Sequence, residues 1–189
     1  MFKKILIIGC GLIGSSILKS AIKNNIAKDI YNFEKSKKNK KIIKKINNKI
    51  KFIDNLNNSL FDMNFIIVCT PMSEYKNIFN KLNKLAQSDV VITEVGSTKR
   101  NLLKFTKNRN VILSHPIAGS EVSGPNYGDK ELFNKKWCIV INKGEKKKIN
   151  LVKRFWKKNG SKVVVMNAIE HDKIFAITSH LPHLIAYNS

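Results

Sequence analysis

The chain has 189 residues, 43% of them hydrophobic, which is enough for one core of ordinary domain size and short for two. Its formal charge of +22 is the footprint expected of nucleic-acid binders. However, the lysines are spread over helices and loops among many Asn and Ile, as A/T-rich coding would produce, with no helix-turn-helix spacing or aromatic-and-basic strand pair, so a solvated basic surface that concentrates anionic ligands is expected and a nucleic-acid partner is not.

Apolar runs alternate with amphipathic stretches in the order of a parallel sheet with crossover helices. The spacing predicts a strand over 4–8, a helix over 12–24, a strand over 29–33 and a Lys-rich helix over 35–47. A buried-type strand over 65–69 follows, ending at Thr70-Pro71, and then a helix over 73–86. That helix has Ser73 as N-cap and Tyr75, Ile78, Phe79, Leu82 and Leu85 along one face. Strands are expected over 90–95 and 111–114, with a short helix beginning near Thr98 between them. A Gly-containing loop spans 116–135, of a length usually functional or mobile. A strand over 137–141, a helix over 146–158 and a strand over 162–165 close the sheet, and 169–189 has helical spacing interrupted by Pro182.

No apolar run approaches the roughly 18 to 20 residues of a bilayer-spanning helix, and the N-terminus passes straight into a strand and a Gly-rich turn. A cytoplasmic protein with no membrane partner is expected. Cys10, Cys69 and Cys138 are odd in number, far apart and beside buried strands, which suits reduced thiols and neither a disulfide nor a zinc site.

Gly9-Cys10-Gly11-Leu12-Ile13-Gly14 follows a strand and opens a helix, the context that makes G-x-G-x-x-G a dinucleotide fingerprint. Gly9 allows the tight turn, Gly11 admits the pyrophosphate and Gly14 allows close packing of helix on strand, while the helix N-terminus favours the phosphates. Glu34, at the end of the second strand, is placed to accept hydrogen bonds from the adenosine ribose, which favours NAD over NADP; Lys35, Ser36 and Lys37 could instead hold a 2′-phosphate. Thr70 and Pro71 should lie under the cofactor on the carboxyl edge of the sheet. The expected fold is therefore α/β, a Rossmann-like, doubly wound, mostly parallel sheet over 1–168, with 169–189 as the first helix of a second, all-helical domain.

Three further motifs narrow the chemistry: Glu94-Val95-Gly96-Ser97-Thr98-Lys99, the run from Ser114-His115-Pro116 to Gly124, and His171-Asp172 with Ser179-His180-Leu181-Pro182-His183. His115 follows a buried strand on the carboxyl edge, where a neutral imidazole can take the proton of an alcohol as hydride leaves the carbon. Ser97, at another strand end, could bond the substrate hydroxyl or orient His115. His180 and His183 share one helical face. Pro182 between them and the lack of an HExxH pattern argue for substrate contact and against a metal.

With these motifs in this order, the sequence resembles the prephenate and arogenate dehydrogenases of tyrosine biosynthesis along essentially its whole length. Glu94 stands where the family usually has Asp, and Thr98 where it has Val. The resemblance implies His115 as catalytic base on the ring hydroxyl, Ser97 as its polar partner, and His180 and His183 as substrate-side residues. It implies NAD-dependent oxidative decarboxylation of prephenate to 4-hydroxyphenylpyruvate, with arogenate as the alternative substrate and a non-catalytic NAD-binding module as a reading from another class. It further implies a helical second domain that dimerises and supplies an arginine to the substrate carboxylate, so a homodimer is expected only of a full-length form. These 189 residues would then bind NAD yet turn over poorly or not at all beside such a form.

Overall fold

The computed structural model describes residues 1–106, 108–119 and 121–176. Five parallel strands form the first sheet in the order β3-β2-β1-β4-β5: β1 (Phe2–Ile8), β2 (Ala27–Phe33), β3 (Lys51–Phe52), β4 (Phe65–Val68) and β5 (Val91–Glu94). Three more follow in the order β6-β7-β8: β6 (Ser114–Pro116), β7 (Trp137–Ile141) and β8 (Lys162–Met166), with β7 antiparallel to β6 and parallel to β8. A parallel bridge between Ile92 and Val111 joins the two sets, so β6 runs in the direction of β5 and ends on the same carboxyl edge.

The sheet is buried on both faces, and the period-2 alternation of its strands sorts the core into two halves. Ile5 and Ile7 of β1, Phe65 and Ile67 of β4 and Val140 of β7 pack with Ile17 of α1 (Leu12–Lys23) and with Phe155 and Trp156 of α4 (Lys146–Lys158). Leu6, Ile8, Ile66, Val68 and Ile139 pack on the other side with Tyr75, Ile78, Phe79 and Leu82 of α3 (Tyr75–Leu82), and with Leu85 after it. α2 (Lys37–Ile46) begins at Ser36, whose side chain accepts from the Asn39 N–H, and buries only Ile43; its lysines otherwise face water.

Several expected elements differ. The stretch over 73–86 is a 3-10 turn at Met72–Glu74, then α3, then a 3-10 turn at Asn83–Gln87, so Ser73 lies inside a turn and caps nothing. Val111 contributes only the bridge to Ile92; the ladder with β7 starts at Ser114, one strand-length later than the apolar run. The helix expected near Thr98 is a turn followed by a 3-10 turn at Leu102–Lys104. The loop over 116–135 is anchored on α1: Lys19 Nζ donates to the Gly128 carbonyl at 2.6 Å, the Asp129 N–H to Ser16 Oγ at 2.9 Å, and Lys23 pairs with Glu131. α5 (Ala168–Phe175) opens with Asn167, whose side chain accepts from the Glu170 N–H. Ala168 is in the core, so α5 begins packed on the sheet itself.

Candidate active site

The Gly-rich turn connects β1 to α1 at the carboxyl edge of the sheet. Gly9 has φ +86°, a conformation L side chains rarely adopt, and a Cβ there would lie 2.7 Å from Thr70 Cγ2. At Gly14 a Cβ would lie 2.2 Å from the Gly9 carbonyl oxygen, so this glycine sets the helix-to-turn distance. Gly11 is different: nothing lies within 4 Å of a Cβ there, and no side chain caps the α1 N-terminus behind it. Gly9, Gly11, Leu12, Ile13, Glu34, Thr70 and Pro71 line one open cleft of about 560 Å³, of the size that small-molecule sites occupy. Glu34 accepts the Cys10 N–H at 3.1 Å and the Ser36 N–H at 2.9 Å, which fixes its carboxylate on the cleft wall. Thr70 Oγ1 is buried with no hydrogen-bond partner among the described residues, a polar atom left for a ligand. A bare helix N-terminus, open space above Gly11, a fixed acceptor and an orphaned hydroxyl together fit a dinucleotide.

Farther along the same edge, β5 ends in Glu94 and β6 begins with Ser114. Glu94 and Lys99 are both fully buried and meet at 2.5 Å. Glu94 also accepts the N–H groups of Gly96 at 2.7 Å and Ser114 at 3.1 Å, and Lys99 donates to the Ser114 carbonyl at 2.6 Å. Burial pushes the Glu94 carboxyl up and the Lys99 ammonium down, while their contact and these donors oppose both shifts. Ser114 Oγ completes the network: it donates to the Glu94 carbonyl at 2.7 Å and accepts from Trp156 Nε1 at 3.0 Å. The residue immediately before His115 is thus held on its amide, carbonyl and side chain at once.

His115 Nδ1 lies 2.9 Å from His171 Nε2, and His171 Nδ1 lies 2.7 Å from Asp172 Oδ1. Asp172 in turn accepts the Lys99 N–H at 2.9 Å and the Arg100 N–H at 2.8 Å, one on each oxygen. Burial, then the Lys99 and His171 charges, lower the pKa of His115 to about 3, against an opposing effect of Asp172. Burial also lowers His171. Asp172 is raised by its burial but more strongly lowered by the Arg100 N–H, His171 and the Lys99 N–H, and the net shift is downward. His115 is therefore neutral at ordinary pH.

Of the site residues expected from sequence, the cofactor set comes together in one cleft, with Gly14 packed directly beneath it. Ser97 is exposed and makes no hydrogen bond to His115; the bonded neighbour of His115 is His171. His180 and His183 lie outside the described residues. His171-Asp172 and Glu94…Lys99 stand in the sequence motifs without a legible role, since nothing in the spacing links residue 171 to residue 115. Among the described residues, no group of three or more His, Cys, Asp or Glu could hold a metal ion, the three thiols are free, and no helix is long and apolar enough to cross a membrane.

Residues 18–165 match the family profile described as prephenate dehydrogenase, nucleotide-binding domain. The chain belongs to the prephenate dehydrogenase family. It is 30% identical to the cyclohexadienyl dehydrogenase of Zymomonas mobilis, over 99% of this chain and 66% of that protein, and 29% identical to the prephenate dehydrogenase of Lactococcus lactis, over 97% and 52%. The structure of Aquifex aeolicus prephenate dehydrogenase in complex with hydroxyphenyl propionate and NAD+ superposes with a TM-score of 0.86 at 28% identity, covering all of this chain and 68% of that one. The chain thus spans about half to two thirds of the length of these dehydrogenases. The matched segment of the profile includes Glu34, Thr70, Pro71, Ser97 and His115 and begins after the Gly-rich turn.

Proposed function

We propose that the chain is the nucleotide-binding part of an NAD-dependent prephenate dehydrogenase, with Gly9, Gly11, Leu12, Ile13, Glu34, Thr70 and Pro71 holding the cofactor and His115 as the catalytic base. The observation that carries the reading is a half-buried histidine, held by His171 on the carboxyl edge that also forms the Gly-rich cleft, with its pKa lowered mainly by burial. NAD+ bound there would accept hydride from C4 of the cyclohexadienyl ring, and departure of the ring carboxylate as CO2 would leave aromatic 4-hydroxyphenylpyruvate. His115 takes the C4 hydroxyl proton as the hydride leaves, a transfer for which the neutral imidazole is ready without a preceding deprotonation. Ser97, exposed just beyond β5, is free to bond that hydroxyl, and His180 and His183 are assigned to the substrate side, on the first helix of a helical domain from about residue 169. Glu34 favours NAD over NADP, because its carboxylate repels a 2′-phosphate.

Arogenate in place of prephenate is the second reading, since the two share the C4 hydroxyl that His115 would deprotonate and differ only in the side chain on the opposite ring carbon. The protein is read as cytoplasmic, and dimerisation as a property of a form that carries the helical domain. The test is NADH formation, followed by absorbance, from prephenate and from arogenate, with these residues and with a form extended to the relatives' length. The extended form should reduce NAD+ with at least one of the two substrates; no NADH from either, while NAD+ binds, contradicts the proposal.

A further inference from the structure

The donor and acceptor pattern around His115 leaves little freedom for its protons. Asp172 Oδ1 and Oδ2 each accept a backbone N–H, from Lys99 and Arg100, so the carboxylate is anchored and available only as an acceptor. His171 Nδ1, 2.7 Å from Oδ1, must therefore carry a proton. A neutral His171 then has a bare Nε2, and at 2.9 Å it can only accept from His115 Nδ1–H. Neutral His115, protonated on Nδ1, keeps its lone pair on Nε2, which has no hydrogen bond among the described residues. Phe175, one turn beyond His171 on α5, wedges the pair, with its ring centroid 4.9 Å from that of His115 and 4.7 Å from that of His171. His171 is fully buried, so water does not compete for its nitrogens.

We infer that His171 and Asp172 are positioning residues for His115: the chain Asp172–His171–His115 fixes the tautomer that leaves Nε2 as the proton acceptor and stabilises the positive charge on His115 once Nε2 is protonated. The inference rests on the dehydrogenase reading for its catalytic meaning but not for its geometry. When Nε2 takes a proton, Nδ1–H still donates to His171, whose own Nδ1–H donates to the Asp172 carboxylate, so no group in the chain has to turn. It also ties the base to the Lys99-Arg100 turn: Asp172 grips the backbone N–H groups that follow Ser97, and α5 thus connects the two motifs on either side of the reacting hydroxyl.

The test uses histidine-15N NMR of the protein without substrate, with His115 assigned by its loss in His115→Asn. A single neutral tautomer is expected, Nδ1 protonated and Nε2 bare. His171→Ala should release His115 to a mixture of tautomers, and His171→Gln, whose side-chain carbonyl can still accept from Nδ1–H, should retain the single one and guards against misfolding of the alanine variant. A tautomer mixture in the unaltered protein, or a single tautomer that persists in His171→Ala, overturns the inference. In turnover by the form extended to the relatives' length, His171→Ala should lower kcat on the order of 10²-fold with KM changed little, and His171→Gln should lose clearly less; equal losses would mean a merely structural role and would also overturn it. If the NMR result stands while the unaltered protein, in the form extended to the relatives' length, oxidises neither substrate, it is the dehydrogenase reading that fails and not the relay.

Discussion

Lys99 carries its ammonium 2.5 Å from the Glu94 carboxylate with both side chains fully buried, and the same ammonium holds the carbonyl of Ser114, the residue before His115. Removing one partner leaves the other charge buried without compensation, which in comparable pairs costs about 3–5 kcal/mol. Lys99→Met should therefore lower unfolding stability by about that amount in urea titration. A loss below about 1 kcal/mol would show that the pair is not the strut its burial implies.

The glycines at 11 and 14 should behave oppositely. A Cβ at Gly14 meets the Gly9 carbonyl oxygen at 2.2 Å, so Gly14→Ala must move backbone and should cost about 1–3 kcal/mol of stability. A Cβ at Gly11 meets nothing, so Gly11→Ala should fold as the unaltered chain does and lose NAD+ affinity by tenfold or more, about 1.4 kcal/mol. Thermal unfolding and calorimetric titration of both variants separate the effects; full NAD+ affinity in Gly11→Ala would place the pyrophosphate elsewhere.

Glu34 is held on the cleft wall by two backbone N–H groups and is followed by Lys35 and Lys37. Glu34→Ser removes the repulsion of a 2′-phosphate and leaves the lysines, so the NADP+ to NAD+ affinity ratio should rise at least roughly tenfold. An unchanged ratio would mean that Glu34 does not read the ribose.

The protonation of His115 links the site to folding. Its pKa is lowered from 6.5 to about 3, first by burial, so between those values the unfolded chain binds a proton that the folded one does not. The stability contributed by a neutral His115 is complete above pH 6.5 and is lost as pH falls from 6.5 toward 3, by up to about 1.4 kcal/mol per pH unit. Depression of the His171 pKa acts in the same direction. Urea midpoints measured at pH 7 and pH 5 should differ less in His115→Asn than in the unaltered protein; an equal drop contradicts the assignment.

Strong periodicity is legible in the sequence. β7 and α4 fall on the residues their patterns predicted, and the apolar face of α3 is buried as spaced. The two-residue β3 has no periodicity to read, and Ser73 looked like a cap because Pro71 before it hides a 3-10 entry into α3. The cleft is legible because Glu34, Thr70 and Pro71 sit at strand ends and the others expected in it in the Gly-rich turn, where the topology of an open sheet puts ligands. The surroundings of His115 are not. His171 is 56 residues away, on a helix that reaches the edge with Ala168 docked on the core, and nothing in the spacing of Glu94 and Lys99 says that the two charges meet inside it.

The most direct test of the account is the rate of NADH formation by His115→Asn beside the unaltered protein, both in a form extended to the relatives' length and with NAD+ affinity measured on each. The account predicts that the variant loses 10²- to 10⁴-fold in kcat, roughly the contribution of one general base, while binding NAD+ as before. A variant that turns over at the unaltered rate would contradict it, and the proton acceptor would then have to be sought elsewhere on the edge.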